Sequence, residues 1–244
     1  MVQVFSQPQS FLDLTPNAVF PHRAPSDDVF PIGEIQIDWP RLIAKRPIVL
    51  QTIDTMPVYL LKPEVLALLG AEKDPTRRLM LDLLWCTGAR VSELLALTRD
   101  SFIYDGYDSG VFLKTLKAHP GRPTIAAQKR SPKRFITLYD EALIDRIQCY
   151  LTAGHFRANE RIFKMCRQTV NRHIHSLVER VGGAPFSIHA HTFRHSFAVH
   201  LLLHARPLKL VSQLLGHSSI ESTEIYTNVL TSDWEHLLKG VEFH

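Results

Sequence analysis

The sequence predicts an α+β fold that is mainly α-helical and carries one small antiparallel β-sheet. Apolar residues recur at helical spacing in several segments, which open with a capping residue or proline and often end at glycine. Between Gly110 and Leu138 the pattern changes to short β-type runs separated by proline and glycine. Hydrophobic residues make up 45% of the 244-residue chain, which is ample for a buried core.

Residues 1–57 depart from the helical pattern. They contain eight of the fifteen prolines and no sustained helical period, so we predict an extended or irregular arm. The apolar residues of this arm leave two options open, docking on the following domain or on a neighbouring subunit; they include Phe5, Phe11, Phe20, Phe30, Ile35, Ile37 and Trp39. The folded domain is accordingly predicted over residues 58–244.

Three helix starts follow the arm in close succession. Proline at the start of Lys62-Pro63-Glu64 opens a short helix that ends at Gly70. Asp74-Pro75 opens a second helix that ends at Gly88, and helical spacing resumes at Val91. The chain therefore makes a sharp turn over residues 87–90.

Arg90 lies at this predicted helix–turn–helix junction, in an apolar setting. Glu93 follows one helical turn later and can hold the guanidinium of Arg90. An ordinary surface Arg–Glu pair is the alternative interpretation.

The two β-type runs, Val111–Leu116 and Arg134–Leu138, predict an antiparallel hairpin. Residues 114–134 contain no acidic residue and seven basic ones. The basic residues are Lys114, Lys117, Arg122, Lys129, Arg130, Lys133 and Arg134. A cationic hairpin of this kind is suited to following a phosphate backbone, and a solvated basic loop is the alternative.

Two further helices are predicted after the hairpin. Asp140 caps the first, and the second runs from Arg167 to Arg180 with apolar residues on one face. The polar face of the second, which includes Arg172, either lies against DNA or keeps the helix hydrated. Apolar residues from Trp234 to Phe243 predict a C-terminal helix that packs on its own domain or on a neighbouring subunit.

Composition limits the classes of function. Residues 61–244 carry 24 Lys and Arg against 18 Asp and Glu, an excess that permits a polyanionic partner without requiring one. Three cysteines without a CxxC pair argue against a disulfide framework. No apolar run reaches the length of a membrane span and no signal peptide is recognisable, so a cytoplasmic protein without a membrane partner is predicted.

The stretch from His191 to Tyr226 carries the most chemistry. It places His191 and Arg194 one helical turn apart, then His217 after a probable helix end at Gly216, then Tyr226 nine residues later. Cleavage of a phosphodiester by a phenol needs neutralisation of the phosphate, a proton acceptor and a proton donor for the leaving oxygen. The sequence offers a candidate for each requirement. Arg90 and Arg194 can neutralise the phosphate, and His191 and His217 can form hydrogen bonds or transfer protons. Lys129 or Lys133 can donate the proton to the leaving oxygen.

A metal site is the main rival for this stretch, because His191/His195 and His200/His204 are each spaced four residues apart. The segment HTFRH lacks the Glu of the HExxH zinc motif, and the charge of Arg194 would repel a cation. We therefore predict no metal and no other cofactor. His195, His200 and His204 are interpreted as packing or solvated residues.

Three ordered segments, TGARVSELLALT (87–98), HTFRHSFAVHLL (191–202) and LLGHSSIESTEIYTNV (214–229), together resemble the signature boxes of the tyrosine recombinase (phage integrase) family. The resemblance implies the catalytic-domain fold of that family over residues 58–244. It also implies Arg90, His191, Arg194, His217 and Tyr226 as catalytic residues, with Tyr226 the nucleophile and Glu93 supporting Arg90.

The family's hairpin lysine corresponds to Lys129 by its spacing to Arg134. Family members usually have Gly after this lysine, whereas Arg130 follows here, so Lys133 stays a second candidate. The remaining basic residues near the site are predicted DNA contacts, namely Lys114, Lys117, Arg130, Lys133, Arg134 and Arg172.

By resemblance the chain is a site-specific recombinase that cuts and rejoins double-stranded DNA through a 3′-phosphotyrosine intermediate. Family members act as tetramers on paired sites, so a homo-tetramer, accessory DNA-binding proteins and a nucleoid or plasmid location are expected. The short arm, in place of a helical core-binding domain, resembles fimbrial-switch invertases and some plasmid resolvases, which favours DNA inversion or plasmid multimer resolution. A type IB topoisomerase-like relaxing enzyme and a non-catalytic DNA-binding regulator are the alternatives.

Overall fold

The structure is a computed structural model that describes residues 37–53, 56–104, 108–115 and 133–232, with Thr231 and Ser232 described in their backbone alone. All of these residues belong to one compact unit, 36–244. The predicted roles of Lys117, Lys129 and Arg130, and the predicted C-terminal helix beyond Ser232, lie outside the described residues.

The first helix, α1 (Trp39–Thr52), falls inside the segment predicted to be extended, so that prediction is wrong for these residues. Asp38 caps the helix by accepting a 3.0 Å hydrogen bond from the backbone N–H of Arg41. Pro40 stands in the first turn, where the missing N–H has no helical partner to lose. Proline therefore occurs here at the start of a helix, and a high proline content does not by itself indicate an extended segment.

Tertiary contacts hold α1 in place. The guanidinium of Arg46, 5% exposed, forms a bidentate ion pair with Glu64, including an Nη2–Oε1 distance of 2.7 Å. It also lies over the ring of Phe186, 4.9 Å from the ring centroid. Leu42 and Val49 are buried on the same helix. This packing compensates for Pro47, which interrupts the hydrogen bonding inside the helix.

The next three helices confirm the predicted starts: α2 (Lys62–Ala71), α3 (Pro75–Thr87) and α4 (Val91–Leu94). Gly70, the predicted end of α2, lies inside the helix, which continues to Ala71. Asp74 caps α3 by accepting a 2.8 Å hydrogen bond from the N–H of Arg77. Gly88 ends α3 in the left-handed conformation, with φ of 58°. A short 3₁₀ turn, Arg99–Ser101, then leads into the sheet.

The sheet contains three antiparallel strands in sequence order, β1 (Phe102–Tyr104), β2 (Ser109–Lys114) and β3 (Lys133–Thr137). The two strands that the sequence predicted are β2 and β3, whereas β1 was missed because three residues are too few for a recognisable alternation. In the register between β2 and β3, Phe112 lies opposite Phe135 and Lys114 lies opposite Lys133.

The C-terminal half is helical, with α5 (Glu141–Ala153), α6 (Arg167–Arg180), α7 (Ala190–Leu203), α8 (Leu208–Leu215), α9 (Glu221–Glu224) and a 3₁₀ helix, Ile225–Ser232. Helix α7 contributes Phe193 to the cluster shared by α2–α6 and the sheet, and Phe197 to the cluster shared by α1, α8 and the 3₁₀ helix. It therefore joins the two halves of the core. None of the helices in the described ranges is both long and apolar enough to cross a membrane.

Candidate active site

The start of α7 is fixed by a reciprocal cap. The backbone N–H of Thr192 donates to Nδ1 of His189 at 3.3 Å, and the N–H of His189 donates to the Thr192 hydroxyl at 3.2 Å. The N–H of Ala190 donates to the Asn171 side-chain oxygen at 3.0 Å, which ties α7 to α6. These contacts orient the first turns of α7, where His191 and Arg194 stand one turn apart as predicted.

Arg194 is buried, with 2% of its surface exposed, and its guanidinium joins two separate turns of the chain. Nη1 donates to the carbonyl of Gly88 and Nη2 to the carbonyl of Leu215, each at 2.8 Å. Burial, and then the charge of Arg90, lowers the pKa of Arg194 to about 10. The side chain is therefore a permanent cation between the Arg90 turn and the end of α8.

Glu93, 1% exposed, holds Arg90 as the sequence predicted. Nη1 and the backbone N–H of Arg90 each donate to its carboxylate at 2.9 Å. Burial alone would raise the pKa of Glu93, but the hydrogen bond and charge of Arg134, followed by those of Arg90, outweigh it and lower the pKa. Glu93 is thus ionised, and the Arg90 side chain remains 32% exposed at the site.

Arg134 does not fit the predicted role of a DNA contact. Its side chain is 11% exposed and turns inward, where Nη1 and Nη2 bond the two oxygens of Glu93 at 3.0 and 2.7 Å. The signal for this was strand alternation, because Arg134 shares a strand face with the buried Ile136. The run of basic residues around it obscured that signal.

His217 follows the left-handed Gly216, which ends α8 with φ of 67°. Nδ1 of His217 lies 2.8 Å from the Thr223 hydroxyl, which fixes the ring against α9. Burial, and then the charges of Arg194, Arg90 and Arg134, lowers the pKa of His217 to about 4. A neutral imidazole beside three guanidinium groups leaves the site strongly cationic.

Tyr226, in the 3₁₀ helix, is 2% exposed, and its hydroxyl lies 2.7 Å from Nδ1 of His195. Burial raises the pKa of Tyr226, while the charges of Arg194 and Arg90 oppose that rise. Burial, and then the charges of His191 and Arg194, lowers the pKa of His195 to about 3. A neutral His195 can accept the phenol proton as a hydrogen bond.

His195 is the site residue that the sequence interpretation missed. The sequence predicts a packing or solvated residue, yet its Nδ1 contacts Tyr226, and its ring lies edge-on to His191 with centroids 4.6 Å apart. The four-residue spacing to His191 was the available signal, because it puts both rings on the face of α7 that carries the site.

His191 keeps solvent contact at the start of α7. Partial burial of its ring, and then the charges of Arg194, His189 and Arg90, lowers its pKa.

Lys114, Lys133 and Arg172 are exposed on the sheet and on α6. The structure thus groups the predicted residues Arg90, Glu93, His191, Arg194, His217 and Tyr226 through mutual contacts and charges, with His195 added to them.

This arrangement can bind an oxyanion and deliver a nucleophile to it. Two guanidinium groups neutralise a phosphate without needing a metal ion, and neutral imidazoles donate or accept protons. The phenol of Tyr226 is the nucleophilic side chain among these residues.

Comparison with known proteins agrees with this chemistry. Residues 59–232 match the phage integrase family. A resolvase of Escherichia coli is 35% identical over 218 residues, covering 82% of this chain and 84% of the relative. The tyrosine recombinase XerD of Pseudomonas aeruginosa is 33% identical over 208 residues, covering 80% of this chain and 62% of the relative.

Among solved structures, the pre-cleavage complex of the site-specific recombinase XerH with its difH substrate is similar, with a TM-score of 0.58 and 22% identity. The match covers 74% of this chain and 53% of that chain, so the present chain spans about half of the neighbour's length. This likeness supports the fold described above.

Proposed function

The chain belongs to the phage integrase family of tyrosine recombinases, and from this premise we propose that it cuts and rejoins DNA at specific sites through a 3′-phosphotyrosine intermediate on Tyr226. The observation that carries the proposal is the 2.7 Å contact between the Tyr226 hydroxyl and His195, within the electrostatic reach of Arg194 and Arg90. It joins a nucleophile, a proton acceptor and two phosphate-binding cations.

In the first step the phenol oxygen of Tyr226 attacks the scissile phosphorus, and the bond from phosphorus to the 5′ oxygen breaks. The phenol proton passes to His195, which already accepts its hydrogen bond. A bound phosphate anion raises the pKa of the imidazoles near it, which makes His195 a better acceptor in the complex than in the isolated chain.

Arg90, Arg194, His191 and His217 stabilise the charge on the pentacoordinate phosphorus. Lys129 or Lys133 protonates the leaving 5′ oxygen. In the second step the 5′-hydroxyl of the partner strand attacks the phosphotyrosine, which rejoins the DNA and restores the phenol. The covalent link conserves the energy of the broken bond, so no metal or nucleotide is needed.

The sheet supports double-stranded DNA as the partner. Lys114 and Lys133 are exposed and lie directly opposite each other in the register of β2 and β3. Like charges in such a cross-strand pair repel each other, and a phosphate backbone bound beside the two lysines removes the penalty. Exposed Arg172 on α6 is a further predicted phosphate contact.

We assign the biological outcome to plasmid multimer resolution or DNA inversion, carried out by a homo-tetramer on two paired sites with accessory DNA-binding proteins. The resolvase relative, covered over 84% of its length, favours resolution. A plasmid with two directly repeated sites reports resolution by deletion, and one with inverted sites reports inversion.

The covalent step is tested on a nicked duplex that carries a binding sequence selected by this protein from a randomised DNA pool. Wild-type protein is expected to form a covalent adduct that survives a denaturing gel, and Tyr226→Phe to form none. An adduct with Tyr226→Phe, or none with the wild type, would refute the assignment. A duplex with a 5′-bridging sulfur identifies the acid, because it restores cleavage to whichever of Lys129→Ala and Lys133→Ala has lost it.

A further inference from the structure

The side chain of Arg134, in strand β3, contacts two other parts of the candidate site. Its Nη1 and Nη2 bond both oxygens of Glu93 at 3.0 and 2.7 Å. The same carboxylate accepts two hydrogen bonds from Arg90, one from the side chain and one from the backbone. Four donors therefore saturate the four acceptor sites of one buried carboxylate, and neither arginine can shift without disturbing the other's partner.

Arg134 also bonds to Thr115 and to helix α8, with Nη1 lying 3.5 Å from the Thr115 hydroxyl. Its Nε donates to the carbonyl of Leu214 at 2.7 Å, and Nη2 of Arg194 donates to the adjacent carbonyl of Leu215. Carbonyls in the last turn of a helix lack partners within the helix. Two arginines from separate parts of the chain satisfy them here, one turn before His217.

Gly216 makes this approach feasible. A Cβ at this position would lie 3.0 Å from Nη1 of Arg134, and the φ of 67° is unfavourable for any other residue. The end of α8 is therefore shaped to accept the Arg134 side chain. His217 follows Gly216 directly, so the ring is attached to the turn that Arg134 holds.

We propose that Arg134 is a positioning residue for DNA cleavage, which holds the guanidinium of Arg90 through Glu93 and the His217 turn through the carbonyl of Leu214. The inference rests on the proposed function, because it concerns the same phosphate site. Arg134 also follows Lys133 in β3, so it connects the basic hairpin to both phosphate-binding groups.

Loss of Arg134 leaves Arg90 as the one cationic partner of Glu93 among the residues that the structure describes. The carboxylate then draws the Arg90 guanidinium away from the phosphate. The turn before His217 also loses the hydrogen bond from Arg134 to the Leu214 carbonyl and keeps the one from Arg194 to the Leu215 carbonyl. A displacement of about 1 Å in a reacting group can reduce the rate about 100-fold. We expect Arg134→Met to slow cleavage by about that factor, with unchanged binding of the same duplex.

Arg78 provides a matched control. Its Nε bonds the Asp82 carboxylate at 3.1 Å, its Nη1 bonds the carbonyl of Leu69 at 2.7 Å, and Asp82 is shared with Arg146. Arg78→Met therefore removes the same kinds of bond from a shared, buried carboxylate and a helix carbonyl. None of the contacts described for Arg78 involves a residue of the proposed site.

The test measures single-turnover adduct formation on the selected nicked duplex, with a normal phosphate and with a methylphosphonate at the scissile position. The methylphosphonate has no negative charge, so its cleavage depends less on charge neutralisation by the Arg90 guanidinium. The defect of Arg134→Met should shrink on it, while Arg78→Met cleaves like the wild type on both substrates. If Arg134→Met fails to fold, Arg134→Lys, which keeps the cation but not the bidentate pair, takes its place with an intermediate defect expected.

The outcomes separate the two ideas. A wild type that forms no adduct overturns the proposed function, and this inference with it. An active wild type overturns the inference alone if Arg134→Met cleaves at the wild-type rate. The inference also fails if the Arg134→Met defect is equal on both substrates.

Discussion

The hydroxyl of Tyr226 lies 2.7 Å from Nδ1 of His195, although 31 residues separate them in the chain. Helix α7 and the 3₁₀ helix that carries Tyr226 pack in one hydrophobic cluster, which brings the two side chains together. The phenol is thus buried, and its oxygen is in contact with His195. The ring of His195 covers the phenol of Tyr226, and its Nδ1 is positioned to accept the phenol proton.

Replacement of His195 tests this relationship. We expect His195→Phe to slow adduct formation by about 100-fold, since a positioned general base contributes at least about that factor. His195→Asn, whose side-chain oxygen can accept a hydrogen bond near the position of Nδ1, should retain part of the rate. Rates are measured under single-turnover conditions across pH. Equal losses in both variants would contradict a role for the acceptor atom.

His200 predicts a pH-dependent stability. Its ring contacts those of Trp39 and Trp85, and its Nδ1 is buried with no hydrogen-bond partner among the described residues. Burial, followed by the charges of His204 and Lys62, lowers its pKa from 6.5 to about 3. Between these two values the unfolded chain binds more protons than the folded chain, so the free energy of unfolding must fall as the pH drops through this window.

His200→Phe removes this contribution, so its free energy of unfolding should depend less steeply on pH between about 6.5 and 3. His195 and His217 have lowered pKa values as well and keep part of the slope in this variant. Urea denaturation at several pH values gives the slopes, with exposed His175→Gln as the surface control. A slope unchanged in His200→Phe would show that the ring does not titrate as its burial requires.

Much of the site could be predicted from the sequence because its residues lie in short, ordered segments. Capping residues and glycine stops located α3 and the Arg90 turn, and the four-residue span from His191 to Arg194 placed both on one helix. The partnership of Glu93 with Arg90 followed from helical spacing. These features are local, so periodicity and capping rules suffice for them.

The errors concern contacts between distant segments. The inward turn of Arg134 depends on a carboxylate 41 positions earlier, and the role of His195 depends on the return of the chain at Tyr226. Helix α1 has a local start signal in Asp38 and Pro40, but Pro47 and the other prolines of the segment outweighed it, and the ion pair between Arg46 and Glu64 that holds the helix is a tertiary contact. In each case tertiary packing decided what local propensity could not.

Removal of Arg46 should loosen α1. Arg46→Met leaves the Glu64 carboxylate without its cation, and because that carboxylate is 27% exposed we expect a loss of about 1–3 kcal/mol in unfolding free energy. Adding Glu64→Gln should recover part of the loss, since no unpaired charge then remains. Guanidinium denaturation of the four proteins gives the coupling energy, and additive losses would show that the two side chains act independently.

Gly88 joins α3 to the Arg90 turn and is expected to tolerate no side chain. A Cβ there would lie 2.4 Å from Cδ1 of Phe197, and the φ of 58° is unfavourable for alanine. Gly88→Ala should therefore lower the free energy of unfolding by about 1–3 kcal/mol, through overpacking in addition to backbone strain. Gly182→Ala is the matched control, because φ is 104° there but nothing lies within 4 Å of the added carbon. The second change Phe197→Leu should recover the overpacking part of the loss in the Gly88→Ala background alone, and no recovery would attribute the whole effect to the backbone.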